Sequence, residues 1–470
     1  MRPRAHSPRP PTGWGAVATA VLVVVTASSA CSSSDSTDAS AVDPTTAVTD
    51  STDQPTTQPA PDTTEPAAEP GRDTTEPNAT NPDTAEPVAT EPGPGTTETE
   101  RPGVAPERFT GTDEEFYAPP DPLPAGEPGD LIRIMDLSEN DGTASVKVMY
   151  HSRDAQDRDR PVTGVITYPT GEAPTGGWPV VATAPGTTGI AAQCAISRII
   201  QGQPAPDWGV DGVRVITDYI GLGPTGGPLH PYLSKPSEGH SVIDGVRAAR
   251  NLAEAQAGTT WLSVGHSQGG HGALSASELA ADYAPELELA GTLALAPAAL
   301  LDRVYGGADP TVTGVLTAMS LYGGAGEHPK ISIDDYVSPE LAAAADVFET
   351  GCLAEITGSL AGLAAGGRLF TNDPRTTEPA SSVLLASDVG NVAVAAPLFL
   401  VSGTADDLVV IDRFQDTFAR FCAAGQVTEL LVVDGATHDS IIGDTADQTA
   451  AWLNARLVDD QPVDSCTAPS

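Results

Sequence analysis

From about Gly111 to the end of the chain, short apolar runs alternate with longer stretches whose apolar positions recur at helical spacing. "ASVKVMYHS" (144–152) and "RPVTGVITYPTG" (160–171) predict an opening pair of strands. "GWPVVATAPGTTG" predicts a buried strand that runs into a Gly/Thr loop, and "GVRVITDYIGLG" predicts the next strand. A helix is predicted from Ser241 through "SVIDGVRAARNLAEAQAG", then a strand at Thr260 to Val264. The following helix carries Ala273, Leu274, Ser277 and Leu279 at roughly helical spacing. "LELAGTLALAPAA", "AAPLFLVSGTADD" and "VTELLVVDGATHD" complete the strands, with helices at "DRFQDTFARFCAAG" and "DTADQTAAWLNARL". Strand and helix in alternation imply an α/β chain with a mostly parallel central sheet and crossover helices.

Two regions break this rhythm. Between about Leu301 and Val394 the sequence turns rich in Ala, Leu and Gly, as in "TVTGVLTAMSLYGG" and "SPELAAAADVFETGCLAEITGSLAGLAAGGRLF". It reads as a mainly helical cap inserted at about residues 303–392, with apolar faces suited to lining a tunnel. Upstream, residues 31–110 are Thr, Pro, Asp, Glu, Ser and Ala with almost no aromatics. Near-repeats such as "DTTEP" at Asp62 and Asp73 lack the apolar positions that stacked repeats bury, so this segment is expected to be a disordered acidic stalk. Residues 111–470 are then the folded domain.

Residues 1–30 carry Arg2, Arg4 and Arg9 ahead of an apolar run from Trp14 to Ala27. The run is short for a bilayer span and is expected to be a secretory signal. "SSAC" places Cys31 where bacterial lipoproteins carry their lipid; simple cleavage after Ala30 is the alternative. Cysteine arithmetic favours the lipid. Of five cysteines, giving Cys31 to lipid leaves Cys194, Cys352, Cys422 and Cys466 for two bridges in an oxidising compartment. The expected location is outside the cell, lipid-anchored on the outer face of the bacterial cytoplasmic membrane through Cys31 or else freely secreted.

The formal charge of −40, with lysine only at 147, 235 and 330, argues against nucleic acid as a partner. It otherwise describes a solvated acidic surface.

Candidate chemistry lies where strands end, because a mostly parallel sheet presents ligands at its carboxyl edge. Gly265, Ser267 and Gly269 form Gly-x-Ser-x-Gly between a strand and a helix, the context of a nucleophile elbow. The strand "PLFLVSG" ends near Asp406, and "LLVVDGATH" ends at His438. Serine, aspartate, histidine is the chain order of one of the three common triads. An imidazole at His438 would take the Ser267 proton, and a carboxylate would orient that imidazole. Asp407, adjacent to Asp406, is the rival acid. His266 and His271, with His240, invite a metal, but no carboxylate or cysteine pattern completes a site, so neither metal nor cofactor is expected.

"APGTTG", "DYIGLG", "HPYL", "GHSQGG", "GTADD" and "DGATHD" together resemble the secretory lipase branch of the α/β-hydrolase fold over nearly all of residues 130–460. Pro185 departs from the histidine that many members place before the Gly-Thr pair. The resemblance implies an exported lipase or esterase in which Ser267, His438 and Asp406 act as a triad, its Gly-Thr-x-Asp spacing favouring Asp406 over Asp407. It places the oxyanion donors on the peptide N–H groups of Gln268 and Thr187. Among three possible connectivities it favours Cys194 with Cys352 and Cys422 with Cys466. The implied partner is a small-molecule or lipid ester; oligomeric state is open. Two alternatives share every one of these residues or the same fold: an acyltransferase with the same triad, and an inactive surface binding protein.

Overall fold

The computed structural model describes residues 106–140, 142–303, 309–458 and 460–467. The leader, Cys31 and the stalk as far as residue 105 lie outside the described residues. Ten strands among the described residues form one sheet. They are β1 (Glu107–Arg108), β2 (Leu131–Asn140), β3 (Thr143–Arg153), β4 (Asp159–Pro169), β5 (Trp178–Ala184), β6 (Val213–Thr217), β7 (Ala257–His266), β8 (Glu288–Leu295), β9 (Leu398–Gly403) and β10 (Thr428–Val433).

Their spatial order is β1-β2-β3-β4-β6-β5-β7-β8-β9-β10. The strands β2, β3, β4 and β6 run antiparallel to their neighbours in that series, and from β6 to β10 every pairing is parallel. Chain order and spatial order part only at β5 and β6. This is the mostly parallel sheet with flanking helices of the α/β-hydrolase fold.

Helices cross between the parallel strands: α1 (Lys235–Asn251) and α2 (Gln268–Tyr283) on the β5 to β8 stretch, and later in the chain α3 (Ile411–Ala423) and α4 (Ala446–Arg456). Val180, Ala182, Val213, Val215 and Trp261 on the sheet pack against Val242, Ile243 and Val246 of α1 and Ala273 and Ala276 of α2, all buried. The small residues Ala273, Ala276 and Ala280 let α2 lie close to the strands. On the other side, Leu262, Val264, Leu293 and Val401 meet Trp452 and Leu453 of α4. Each fully buried aliphatic side chain of this kind stabilises the fold by about 1.5–3 kcal/mol.

Three details differ from the sequence reading. The strand β2 is absent from that reading because Arg133 and Asp136 interrupt its apolar run. Arg133 is nonetheless only 9% exposed, since its guanidinium donates to the carbonyl oxygens of Phe116 and Ala118 and pairs with Glu107. Glu107 and Arg108 align with Arg133 and Ile134, so ordered sheet begins on the stalk side of the boundary at 110/111. The helix α1 starts at Lys235 rather than Ser241, with Pro236 in its first turn, where a missing N–H costs nothing.

Between β8 and β9 the chain leaves the sheet and becomes mainly helical, with Pro310–Ala325, Pro339–Ala344, Leu353–Ala365 and Ala380–Ala386 as its principal helices. Its apolar core contains Val315, Met319, Phe348 and Leu360, and it takes in Ile190, Tyr232 and Leu233 from the main domain. The disulfide Cys194–Cys352 fastens it to the loop after β5. Cys422–Cys466 ties the end of α3 to the C-terminal tail.

Candidate active site

The strand β7 ends at His266, and α2 begins at Gln268, leaving one residue for the turn. Ser267 occupies it with φ 60° and ψ −121°, a conformation that a non-glycine residue holds only when its surroundings impose it. The imposing contacts are visible. Ser267 N–H donates to Leu295 O at 2.9 Å, and its carbonyl accepts from Ala298 N at 3.1 Å and His271 N at 3.2 Å. The flanking glycines are required by proximity: a Cβ on Gly265 would stand 1.9 Å from Gly269 O, and one on Gly269 would stand 2.0 Å from Ala184 O. That second approach also brings the end of β5, and so the loop carrying Thr187, against the start of α2.

Asp406 and His438 follow β9 and β10, the last two strands of the sheet. Their loops interlock: Ala405 N donates to Ala436 O at 3.0 Å, and Thr404 N to Val433 O at 3.0 Å. His438 Nδ1 donates to Asp406 Oδ2 at 2.9 Å, both residues 5% exposed. Asp406 Oδ1 accepts from the peptide N–H groups of Leu408 and Val409 at 2.9 and 2.8 Å, which fixes the carboxylate plane. Asp407 is exposed and points no hydrogen bond at the imidazole. With Nδ1 carrying the proton, Nε2 of His438 is the free base of the ring.

His438 is joined to the elbow through His266. His266 Nε2–H donates to the His438 carbonyl at 2.7 Å, and the two rings lie 4.5 Å apart. Burial pushes the His266 pKa down, with the neighbouring His438 charge adding to it, to about 3. His266 therefore stays neutral when His438 becomes an imidazolium, and the two rings do not repel. Ser267 is half-buried, and its hydroxyl has no hydrogen-bond partner among the described residues.

This has a measurable consequence for stability. The unfolded chain protonates His266 near pH 6.5, whereas the folded chain does not until about pH 3. Stability is thus full above pH 6.5 and falls as pH drops through that window, by about 1.4 kcal/mol per pH unit from this residue. His266→Gln keeps a donor for the His438 carbonyl and removes the titration. Urea unfolding at pH 6.5, 5.5 and 4.5 is expected to give a shallower acid decline in the variant than in the parent. Parallel declines would show that His266 is not held neutral.

The two expected oxyanion donors lie on facing segments. Gln268 is the first residue of α2, and Thr187 lies in the loop after β5, its hydroxyl 2.8 Å from that of Tyr232. No carbonyl outside the regular helices and strands accepts from either peptide N–H among the described residues. The loop is held from several sides: Tyr219 Oη donates to Pro185 O at 3.0 Å, His230 N to Ile190 O at 2.8 Å, and Leu353 N of the cap to Thr188 O at 2.9 Å.

The three histidines weighed for a metal go to separate partners. His240 donates to Arg153 O and stacks on Tyr283, His266 serves His438, and His271 is buried beneath the elbow. No group of three potential metal ligands occurs among the described residues.

The sequence reading passed over Glu238 and gave no role to His230 of "HPYL"; both are fully buried next to the elbow and bonded to Gln268, and Glu238 also to His271. The segment "LSKPSEGHS" is mostly polar, and only the buried partners give its glutamate a place.

The family described as secretory lipase matches residues 209–465, more than half of the chain. Lipase A of Candida antarctica superposes with a TM-score of 0.63 at 17% identity, over 76% of this chain and 88% of that one. The rice cell wall degrading esterase LipA of Xanthomonas oryzae gives a TM-score of 0.57 at 18% identity, over 70% of this chain and 98% of that one. A Legionella pneumophila protein described as "a putative hydrolase" gives 0.58 at 17% identity, over 69% of this chain and 92% of that one. No curated protein sequence matches the chain.

Proposed function

Because the chain belongs to the secretory lipase family and is therefore a carboxylic-ester hydrolase for lipid substrates, we propose that it works as a serine hydrolase, with Ser267 as nucleophile, His438 as base and Asp406 as the acid that orients it. The observation that carries this reading is the buried 2.9 Å hydrogen bond from His438 to Asp406, on a loop that His266 anchors beside the strained Ser267 turn.

In this reading His438 Nε2 takes the Ser267 proton as Oγ attacks the ester carbonyl. The carbonyl oxygen becomes an alkoxide and meets the peptide N–H groups of Gln268 and Thr187. Asp406 keeps the imidazole in the Nδ1–H form and stabilises the imidazolium without taking its proton. The imidazolium then protonates the departing alcohol oxygen, leaving an acyl-serine. Water enters, gives a proton to His438 Nε2 and attacks the acyl carbon; as the second tetrahedral species collapses, His438 Nε2 returns that proton to Ser267 Oγ, releasing the carboxylic acid and the free serine. Incubation with an alkyl fluorophosphonate followed by peptide mapping tests this: a single adduct on Ser267 supports it, and a folded protein without adduct overturns it.

Export is part of the proposal. It is supported by the family and by two disulfides, which persist in oxidising compartments. A lipid on Cys31 and a stalk to about residue 110 would hold the enzyme away from the membrane.

The cap at about 303–392 is proposed to bind the acyl chain. Its apolar core reaches Ile190 and Tyr232, beside the loop that carries Thr187. Each methylene accommodated in a dry channel contributes about 0.8 kcal/mol, close to fourfold in kcat/KM. Activity on p-nitrophenyl esters is expected to rise beyond acetate and fall where the channel ends, and replacing 303–392 by a short linker should flatten this profile. A parent enzyme indifferent to chain length would remove the acyl-binding role from the cap.

A further inference from the structure

Beneath the elbow runs a chain of buried polar side chains that the hydrolysis mechanism leaves without a task. His230, Glu238 and His271 are 0% exposed and Gln268 is 2% exposed. The direction of every hydrogen bond in the chain follows from its ends. Ile220 O can only accept, so His230 donates from Nδ1, at 2.8 Å, and its Nε2 is the acceptor. Gln268 Nε2 supplies both its hydrogens: one to His230 Nε2 at 2.8 Å and one to Glu238 Oε1 at 2.7 Å. Turning the Gln268 amide over would set its carbonyl oxygen against a ring lone pair and a carboxylate oxygen, so its orientation is single-valued.

Glu238 Oε1 also accepts from Leu233 N at 2.9 Å, and Glu238 Oε2 lies 2.6 Å from His271 Nδ1. The other nitrogen of His271 donates to Ser387 O at 2.8 Å, where the cap returns to the sheet. Burial alone would raise the Glu238 carboxyl, but the charge of His271, which donates to it, holds it down to about 2. Burial would likewise lower His271, and the Glu238 charge raises it instead. The pair is a carboxylate and an imidazolium whose partners are complete. A buried ion pair of this kind is weak evidence for stability, since an apolar pair of equal volume often does as well. The pair can have another role.

Geometry supplies one. Gln268 is the residue whose peptide N–H faces the developing alkoxide, and its side chain is gripped at both hydrogens by this chain. The segment 230–234 at the far end carries Tyr232, whose hydroxyl meets that of Thr187, while Tyr219, stacked on His230 at 8° between planes, donates to the carbonyl of Pro185. Both oxyanion donors are therefore referenced to one frame. We propose that Glu238 and His271 are positioning residues for the oxyanion hole, holding the Gln268 and Thr187 peptide N–H groups at the distance a tetrahedral oxyanion requires. The inference rests on the serine-hydrolase reading and adds two residues to it, neither of which touches substrate.

A positioning frame and a structural filler differ in what their loss changes. Loss of one oxyanion donor costs about 10²–10³ in kcat, and a donor displaced but present should cost less, on the order of 10–100-fold. The test uses Glu238→Gln, Gln268→Met and the double variant Glu238→Gln/His271→Gln in the full chain. Turnover is normalised to serines titrated with a fluorophosphonate, and binding of an alkyl boronic acid, which forms a tetrahedral adduct on serine, is compared with that of the planar acyl amide of equal length. The expected result is a drop in kcat per titrated serine of about 10–100-fold with KM within about threefold, and boronate affinity falling by the same factor while amide affinity holds. The double variant should lose no more than Glu238→Gln, because both changes break one pair.

Unchanged kcat per serine and unchanged boronate affinity, with only a lowered Tm, would make the network structural and overturn the inference. If Glu238→Gln does not fold, Gln268→Met decides alone, since it keeps the peptide N–H and removes only the grip on it. A parent protein that neither labels at Ser267 nor binds boronate would instead defeat the hydrolase reading, an outcome separate from both of these.

Discussion

Ser267→Ala is expected to lower kcat on an aryl ester by about 10⁶ while leaving the unfolding transition in place, the scale seen when a serine hydrolase loses its nucleophile. The size follows from what remains. Without Oγ there is no acyl-enzyme, and His438 can at best direct water at a carbonyl polarised by two peptide N–H groups, which by itself accounts for about 10³–10⁴ over water. Fold and stability should be nearly untouched, because the Ser267 hydroxyl has no partner among the described residues to lose. Alanine must adopt φ 60° at this turn, as serine already does, so the strain is carried over rather than added. Measured by active-site titration and initial rates, residual activity within tenfold of the parent would mean that another residue is the nucleophile.

Asp406→Asn is expected to lower kcat by about 10⁴ and Asp407→Asn by less than about threefold. The asparagine amide, if its NH₂ faces the ring, would favour a proton on His438 Nε2, the tautomer unable to accept from serine. Asp406 Oδ1 already takes two peptide N–H groups, from Leu408 and Val409, so the asparagine oxygen is drawn to that side and its NH₂ is driven toward the imidazole. The wrong tautomer is thus imposed by the local backbone. Asp407 is exposed and lacks any such contact with the ring. The assay is kcat at saturating p-nitrophenyl ester across pH 6 to 9. A reversed ranking of the two variants would transfer the acid role to Asp407.

What could be read in advance divides along physical lines. The strands β5, β7, β8 and β9 are largely apolar because both faces of a parallel sheet are covered there, and Gly186, Gly269, Gly403 and Gly435 mark the carboxyl ends of β5, β7, β9 and β10. Ser267, Asp406 and His438 were legible as candidates for that reason. The strand β2 was hidden by Arg133, whose charge is paired with Glu107 and whose guanidinium is satisfied by the Phe116 and Ala118 carbonyl oxygens, all distant in sequence. The first turn of α1 was hidden likewise: Ser237 and Glu238 look solvated, yet their partners are Glu327 of the cap and His271 of α2. Buried polar residues become intelligible only with their long-range partners in place, and the sequence pattern carries no record of that pairing.

The two disulfides pair the four described cysteines two by two in chain order, Cys194 with Cys352 and Cys422 with Cys466. For a polypeptide delivered N-terminus first through a translocation pore, order of arrival and order of pairing then coincide. The first bridge can close before Cys422 has emerged, and the second has only its own partner left to find. An oxidant that joins thiols in the order they appear would reach the native set with no reshuffling. The single competitor upstream is Cys31. A lipid attached to its sulfur as a thioether would withdraw it from exchange before Cys194 arrives, so in such a chain the modification that tethers the protein would also safeguard its oxidative maturation.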